Sequence, residues 1–151
     1  MRLDVWGRLV AFGAALALAA GCGRPDGPPP GGTPADLEII VLQPGDGEVA
    51  RSGDRVRVHY TGWLYDEREP GRRGAEFDSS RPRGEAFAFA LGRGQVIRGW
   101  DEGVVGMAVG EVRELAIPAD LGYGSRGAGG IIPPHQPLLF EVELLAIEPA
   151  N

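Results

Sequence analysis

The fold is decided by residues 55–62, RVRVHYTG, in which apolar and polar side chains alternate. In an extended chain, Val56, Val58 and Tyr60 lie on one face and the residues between them on the other, because successive side chains of a strand point to opposite sides. This alternation predicts a half-buried β-strand that ends at Thr61-Gly62. A strand with one polar face is typical of an antiparallel sheet that has one face toward water.

Four more strands are predicted on either side of this segment. Residues 37–43 are rich in strand-forming side chains and end at 44–47, PGDG, whose residue types favour a turn. Residues 87–91, FAFAL, alternate large and small side chains, and residues 138–147 include apolar side chains that alternate with glutamates. Together with residues 111–117, these segments predict a sheet of five strands.

One helix is predicted, over residues 97–107. Trp100, Val104 and Met107 are four and then three positions apart, so they form one apolar stripe along a helix. Three glycines in the segment each lower helix stability by up to about 1 kcal/mol relative to alanine, so packing against the sheet must hold it. An antiparallel sheet packed on one helix through such a stripe is an α+β domain.

Composition and charge exclude several functional classes. The 151 residues carry 21 acidic and 15 basic side chains, and the net charge of −6 argues against a protein that binds nucleic acid through its phosphates. The single cysteine excludes an internal disulfide, a cysteine-based redox pair and a cysteine-rich zinc site. His59 and His135 lack the spacing of metal ligands, so we expect neither a metal nor another cofactor.

The N-terminal residues are typical of an export signal. Residues 9–20, LVAFGAALALAA, form an apolar segment that is too short to span a bilayer as a helix but suits a signal sequence. We therefore predict a signal peptide over residues 1–21; the alternative is an N-terminal amphipathic or core helix. The exported protein would act in the periplasm or cell envelope.

A lone cysteine follows this apolar segment. The sequence AAGC (19–22) resembles a bacterial lipobox, so we predict that Cys22 becomes the N-terminus and carries lipid that holds the protein to a membrane. The alternative is a free thiol beside an ordinary cleavage site. Residues 22–35, rich in Pro and Gly, are predicted to form an unpacked tether, followed by a folded domain over 36–148 and a tail over 149–151.

Six short segments resemble the signature segments of FKBP-type peptidyl-prolyl cis-trans isomerases, in the same order and at nearly the same intervals. The resemblance covers residues 36–148, most of the exported chain. Each segment alone is a weak signal, but six in register are specific. The segments are VHYTG (58–62), FDSSR (77–81), VIRGW (96–100), GYG (122–124), GIIPPH (130–135) and LFEVELL (139–145).

The resemblance implies a bent five-stranded antiparallel sheet wrapped around one short α-helix, with an aromatic pocket between them. From the residues alone, these aromatic side chains would more often be ordinary core. By match to the family's motifs, the pocket wall consists of Tyr60, Phe77, Asp78, Phe87, Val96, Ile97, Tyr123, Ile132 and Phe140, with Trp100 as its floor.

The resemblance also implies an activity and its partners. A monomeric enzyme would accelerate rotation about X–Pro bonds in exported polypeptides, without covalent chemistry, by holding the bond in a dry aromatic pocket. The Tyr123 hydroxyl and the Ile97 N–H would donate hydrogen bonds to carbonyls of the ligand. Asp78 would be a polar contact at the pocket edge; the alternative for it is a turn or cap residue. Macrolide ligands of the family are expected to bind the same pocket.

A rival function and two departures from the family remain open. The rival is a non-catalytic module that binds proline-containing segments or a partner through the same pocket; the complete set of pocket residues favours the enzyme. Residues 65–76, YDEREPGRRGAE, form a longer link than minimal members have and are predicted to be a solvated loop, with a partner-binding surface as the alternative. Ala128 replaces a histidine that is common in the best-known members, so no imidazole acts at that position.

Overall fold

The computed structural model describes residues 29–149, which form one antiparallel sheet of six strands and one short α-helix. The strand order is β1-β5-β6-β2-β3, and β4 pairs with the first part of β2. The predicted α+β class is confirmed, with six strands where five were expected. The elements are β1 Glu38–Gln43, β2 Arg55–Tyr65, β3 Arg73–Ser79, β4 Phe87–Ala90, α1 Arg98–Gly103, β5 Val112–Ile117 and β6 Leu138–Glu148.

The additional strand is β3, and the prediction of a solvated loop over residues 65–76 is wrong at both of its ends. Tyr65 is the last residue of β2, residues 73–76 begin β3, and a 3-10 turn over Pro70–Arg72 joins the two strands. The pairing of β2 with β3 shifts register on both sides of Trp63, so β3 has no regular alternation of polar and apolar residues. A half-buried strand is recognised in a sequence by polar and apolar residues that alternate with a period of two, and bulges in the pairing remove this alternation.

The predicted end of β2 at Thr61-Gly62 is also wrong, because the strand continues to Tyr65. Gly62 lies inside the strand at a point where two rings approach the backbone. A Cβ atom there would lie 2.6 Å from Cζ of Phe77 and 2.7 Å from Cε1 of Phe140. The glycine therefore marks a close contact and not a strand end.

The helix is shorter than predicted, six residues in place of eleven, but its apolar stripe is buried as expected. Trp100, Val104 and Met107 are 4%, 0% and 0% exposed, although the last two lie beyond the end of α1. A Cβ atom on Gly99 would lie 2.5 Å from Cγ2 of Ile117 in β5. The glycine that weakens the helix is thus what allows its backbone to lie directly on the sheet.

The two faces of the sheet differ as the alternation predicts. Phe140, Val142 and Leu144 of β6 are buried, whereas Glu141 and Glu143 between them are half-exposed. The edge strand β1 is an exception, because all six of its residues are exposed, including the apolar side chains of Ile39, Ile40, Val41 and Leu42.

The C-terminal part of the predicted tether packs against the domain. Gly31 and Pro34 are buried, and the N–H of Glu67 donates to the carbonyl of Gly31 at 2.8 Å. The prediction that residues 22–35 do not pack is therefore wrong for residues 29–34, which we call the strap. Two adjacent glycines let this backbone approach the segment after β2, a contact between distant residues that composition does not reveal.

The described part of the chain contains neither a membrane-spanning helix nor a cluster of metal-binding side chains. None of the helices within residues 29–149 has the length and apolar character needed to cross a membrane. Over the same range, no cluster of three or more His, Cys, Asp or Glu side chains could hold a metal ion. The predicted signal peptide and the proposed lipid site on Cys22 lie outside the described residues.

Candidate active site

A cavity of about 190 Å³ opens between the inner face of the sheet, α1 and the segment that joins β5 to β6. Its lining residues come from β2, β3, β4, β6, α1 and two connecting segments. They are Tyr60, Phe77, Asp78, Phe87, Gln95, Val96, Ile97, Trp100, Tyr123 and Phe140.

The cavity is built around the indole of Trp100, which is 4% exposed. Its ring centroid lies 5.1 Å from that of Tyr60 and 5.2 Å from that of Phe140, both in edge-to-face contact. Phe87 lies edge-on at 6.1 Å. Because each such pair contributes about 0.5–1.5 kcal/mol beyond area burial, the rings hold one another in place. The result is a preformed apolar enclosure in which Trp100 lies at the base.

One edge of the cavity carries a polar group of three side chains. The Tyr60 hydroxyl donates to Oδ2 of Asp78 in a short hydrogen bond. Arg83 donates from Nη1 to Oδ1 of Asp78 at 3.0 Å and from Nη2 to the Tyr60 hydroxyl at 3.3 Å. Asp78 thus faces the cavity with both carboxylate oxygens engaged, and Arg83 is a participant that no sequence motif indicated.

The pKa values of these groups move away from neutrality. Partial burial acts to raise the pKa of the Asp78 carboxyl, but the hydrogen bonds from Tyr60 and Arg83 outweigh it, and the pKa lies below its usual value. Burial, followed by the hydrogen bond to Asp78, raises the pKa of Tyr60. Burial and then the negative charge of Asp78 raise the pKa of Tyr123. The tyrosines therefore stay protonated and Asp78 stays ionised at neutral pH.

Several hydrogen-bond donors at the cavity have no acceptor within residues 29–149, and the indole N–H of Trp100 is a buried one. The N–H of Ile97, at the residue before α1, is another. A third is the hydroxyl of Tyr123, a residue that is 41% exposed. A bound molecule that carries carbonyl groups could accept from both Ile97 and Tyr123, while its apolar part enters the enclosure.

Nine of the ten predicted site residues line this one cavity, and Ile132 does not. Ile132 is 5% exposed, belongs to the hydrophobic core and lines a second, adjoining depression of about 320 Å³. That depression lies between Phe77, Asp78 and Tyr123 on one side and residues 128–132 on the other. Ile132 thus lines the adjoining depression, which shares three lining residues with the first cavity, and its place in the site stays a prediction; its neighbour Ile131 is 62% exposed.

Gln95 lines the cavity but was not identified as a site residue in the sequence analysis. A glutamine at a loop position has no chemical signal of its own. The only available signal was its place directly before the VIRGW segment, three of whose residues were predicted to form the pocket. The catalytic roles assigned to the predicted residues stay predictions.

The chain matches a known family over most of its described length. Residues 47–145 match the family model of FKBP-type peptidyl-prolyl cis-trans isomerases. This span includes every residue that lines the cavity.

Individual proteins are similar over nearly the same span. An FK506-binding protein of Neisseria meningitidis serogroup A is 53% identical over 111 residues, which are 74% of this chain and 95% of that protein. A peptidyl-prolyl cis-trans isomerase of Drosophila melanogaster is 47% identical over 113 residues, 74% of this chain and 98% of that protein. An FK506-binding protein of Rhizopus delemar is 57% identical over 102 residues, 68% of this chain, but the chain spans only 46% of its length.

Proposed function

This chain belongs to the FKBP-type peptidyl-prolyl cis-trans isomerases, and we propose that the cavity around Trp100 is where it rotates X–Pro bonds. Its activity is peptidyl-prolyl cis-trans isomerisation. The observation that carries the site assignment is the combination of an apolar ring enclosure with two donors, on Ile97 and Tyr123, that have no acceptor within residues 29–149.

The chemistry of the bond explains why such a cavity suffices. Rotation about X–Pro must overcome a barrier of about 18–20 kcal/mol, because resonance keeps the imide planar. At the twisted transition state that resonance is lost, and the carbonyl is less polar than in the planar ground state. An apolar enclosure therefore favours the twisted form relative to the planar form, which water solvates better. No nucleophile or proton transfer is required.

The two donors would position the substrate during this rotation. The Ile97 N–H and the Tyr123 hydroxyl would each donate a hydrogen bond to a carbonyl of the polypeptide. These two bonds would orient the proline ring over Trp100. Asp78 is held by Tyr60 and Arg83, so it would act as a fixed charge at the edge and not as a base.

The test is the exchange between cis and trans forms of a short Xaa–Pro peptide, measured by NMR with and without the purified protein. We expect acceleration, strongest with an apolar residue before proline. A protein that binds the peptide but leaves exchange at its uncatalysed rate would support the non-catalytic binding module instead.

Macrolide binding follows from the same site. Relatives that span nearly the whole domain are named FK506-binding proteins, so we propose that FK506 occupies the cavity and competes with peptide. FK506 at saturation should abolish the acceleration and raise the melting temperature, because a ligand that binds only the folded state stabilises it. Acceleration that persists in the presence of saturating FK506 would separate the catalytic site from the macrolide site.

We further propose that the enzyme is exported and held to a membrane by lipid on Cys22, where it acts on exported polypeptides as a monomer. The support is the lone cysteine directly after the apolar segment 9–20. Mass analysis of the mature protein should find a lipid-modified N-terminus at Cys22, and Cys22→Ala should release the domain in soluble form. An unmodified N-terminus at another residue would contradict the lipid anchor.

A further inference from the structure

Gln95 lies in the segment between β4 and α1, and its side chain turns back onto that segment. Its Oε1 accepts a hydrogen bond from the N–H of Ala90 at 2.9 Å. A backbone N–H can only donate, so the side-chain atom that meets it must be the amide oxygen. This contact therefore fixes which end of the amide faces Ala90 and which end faces away.

The other end of the amide carries two N–H donors with no acceptor among residues 29–149. Gln95 is exposed and lines the same cavity as Ile97, two positions further along the chain. The segment that carries it is held in place, because the carboxylate of Asp101 accepts from the N–H of Gly92 at 2.8 Å and from the N–H of Gly94 at 2.9 Å. The Gln95 amide is thus a preoriented donor on an exposed residue that lines the cavity.

We propose that the Gln95 amide is a substrate-binding group that donates a hydrogen bond to a backbone carbonyl of the polypeptide outside the rotating X–Pro bond. The inference rests on the proposed function of the cavity. The Ile97 N–H and the Tyr123 hydroxyl are available for carbonyls at the bond itself, whereas Gln95 lies at the exposed rim, where a longer peptide continues. A backbone carbonyl is the acceptor that every polypeptide offers there, whatever its side chains.

The contact also predicts which substrates benefit. An interaction made outside the rotating bond is equally strong in the planar and the twisted forms, so it lowers KM and leaves kcat unchanged. Long polypeptides would gain this contact, and a minimal blocked Xaa–Pro peptide that ends before the carbonyl would not. Gln95 therefore makes the enzyme prefer proline within an extended chain.

Gln95→Glu is the informative variant, because a carboxylate oxygen can still accept from the Ala90 N–H while both amide donors are lost. With a peptide extended by three residues on each side of Xaa–Pro, we expect KM to rise about two- to ten-fold, the range of one neutral hydrogen bond. We expect kcat within two-fold of the unmodified protein, an unchanged melting temperature, and a smaller rise in KM for the minimal peptide. Gln95→Met should show the same rise in KM together with a lower melting temperature.

Two controls exclude other causes. Arg93→Gln changes the same segment at an exposed side chain outside the cavity lining and should leave both constants unchanged. Repeating the Gln95→Glu measurement in about 0.5 M salt screens the added charge, so a loss caused by repulsion would disappear while a lost donor would not be restored.

The proposal is overturned if Gln95→Glu leaves KM for the extended peptide unchanged, if it weakens both peptides equally, or if salt restores the affinity. Peptide affinity measured by titration gives the same comparison without reference to turnover. Failure of the Gln95 inference is therefore distinguishable from failure of the proposed function, which would show as absent acceleration by the unmodified protein.

Discussion

The inner face of the sheet carries aromatic rings that line the cavity, whereas the outer face carries charged side chains. Phe140 on the inner face packs against Trp100 at 5.2 Å and Phe77 at 5.4 Å between ring centroids. The next residue, Glu141, points outward and pairs with Arg73 at 3.0 Å. Adjacent positions of one strand thus belong to two different kinds of interaction.

The outer interactions form a network of ion pairs and not a core. Arg73 also reaches Glu114 of β5 at 3.4 Å, and Arg72 pairs with Glu114 at 3.2 Å and with Glu38 of β1. Partly exposed pairs of this kind contribute about 0–1 kcal/mol each. The comparison indicates that the inner face determines stability and function, while the outer face positions the segment after β2 and the strap.

The largest expected effect is that of removing an inner ring. Phe140→Ala should lower the free energy of unfolding by about 3–5 kcal/mol, because a buried aromatic side chain is lost and a cavity remains. Activity should fall as well, since the ring lines the site. The matched control is Glu141→Gln on the opposite face of the same strand, expected to change stability by about 1 kcal/mol or less. Denaturant unfolding of both variants is the measurement, and similar losses in the two would contradict the comparison.

A smaller effect is expected on the outer side, at the strap. Gly32 has a φ of +78°, and a Cβ atom there would lie 2.5 Å from Cδ of Glu67. Gly32→Ala should detach residues 29–34 at a cost of about 1–2 kcal/mol, the penalty of a left-handed conformation for a residue with a Cβ atom. Hydrogen exchange in this segment should accelerate while isomerase activity stays unchanged.

Gly84→Ala is the control for that variant, because Gly84 has a φ of +65° but no atom within 4 Å of the position of its added Cβ. It carries the same backbone penalty outside the strap and should leave exchange in residues 29–34 unchanged. Equal protection of the strap in Gly32→Ala and in the unmodified protein would show that the left-handed conformation of Gly32 is not needed to hold it.

A third variant tests the function of the cavity separately from the stability of the fold. Tyr123→Phe keeps the ring and removes only a hydroxyl that has no acceptor within residues 29–149. The melting temperature should therefore stay nearly unchanged, while kcat/KM falls about two- to ten-fold, the range of one hydrogen bond to the ligand. A Tyr123→Phe protein that unfolds early but turns over normally would assign this hydroxyl to the structure and not to the site.

The same comparison explains what could be read from the sequence. The inner face was predictable because strand alternation and the helical stripe follow local periods, and because eight pocket residues fall in recognisable motifs. The roles of Gly62 and Gly99 were not predictable, because each depends on rings or side chains from a distant strand. Ile132 also falls in a motif, but a motif fixes its position in the chain and not which of the two adjoining depressions it lines.

Most contacts on the outer side of the sheet could not be predicted from the sequence, for the same physical reason. Arg72 and Glu38 are 34 positions apart, and charged residues carry no period that would pair them. The contact between Gly31 and Glu67 likewise joins a Pro/Gly-rich stretch to a charged one, and each alone is typical of solvated chain. Composition correctly indicated their polarity but could not indicate that they pack.

The smallest expected effect is that of pH on activity between 6 and 8, where kcat/KM should be flat. The lowered pKa of Asp78 and the raised pKa values of Tyr60 and Tyr123 keep all three groups in one state across this range. Histidine is the side chain that ordinarily changes charge between pH 5 and 8, and neither histidine lines the cavity: His59 bonds to Ser80 at 2.9 Å, and the His135 N–H donates to Gly124 at 2.8 Å. The stability of the fold changes at acid pH. Because the folded pKa of Asp78 lies below its unfolded value, near 3.8, the stability that ionised Asp78 contributes is present above that pH and is lost as pH falls through the folded pKa. Rates and melting temperatures measured from pH 3 to 8 test both statements. A bell-shaped profile between pH 6 and 8 that disappears in a folded His135→Gln or Asp78→Asn protein would show that a proton moves during turnover, and catalysis by the apolar cavity alone would be wrong.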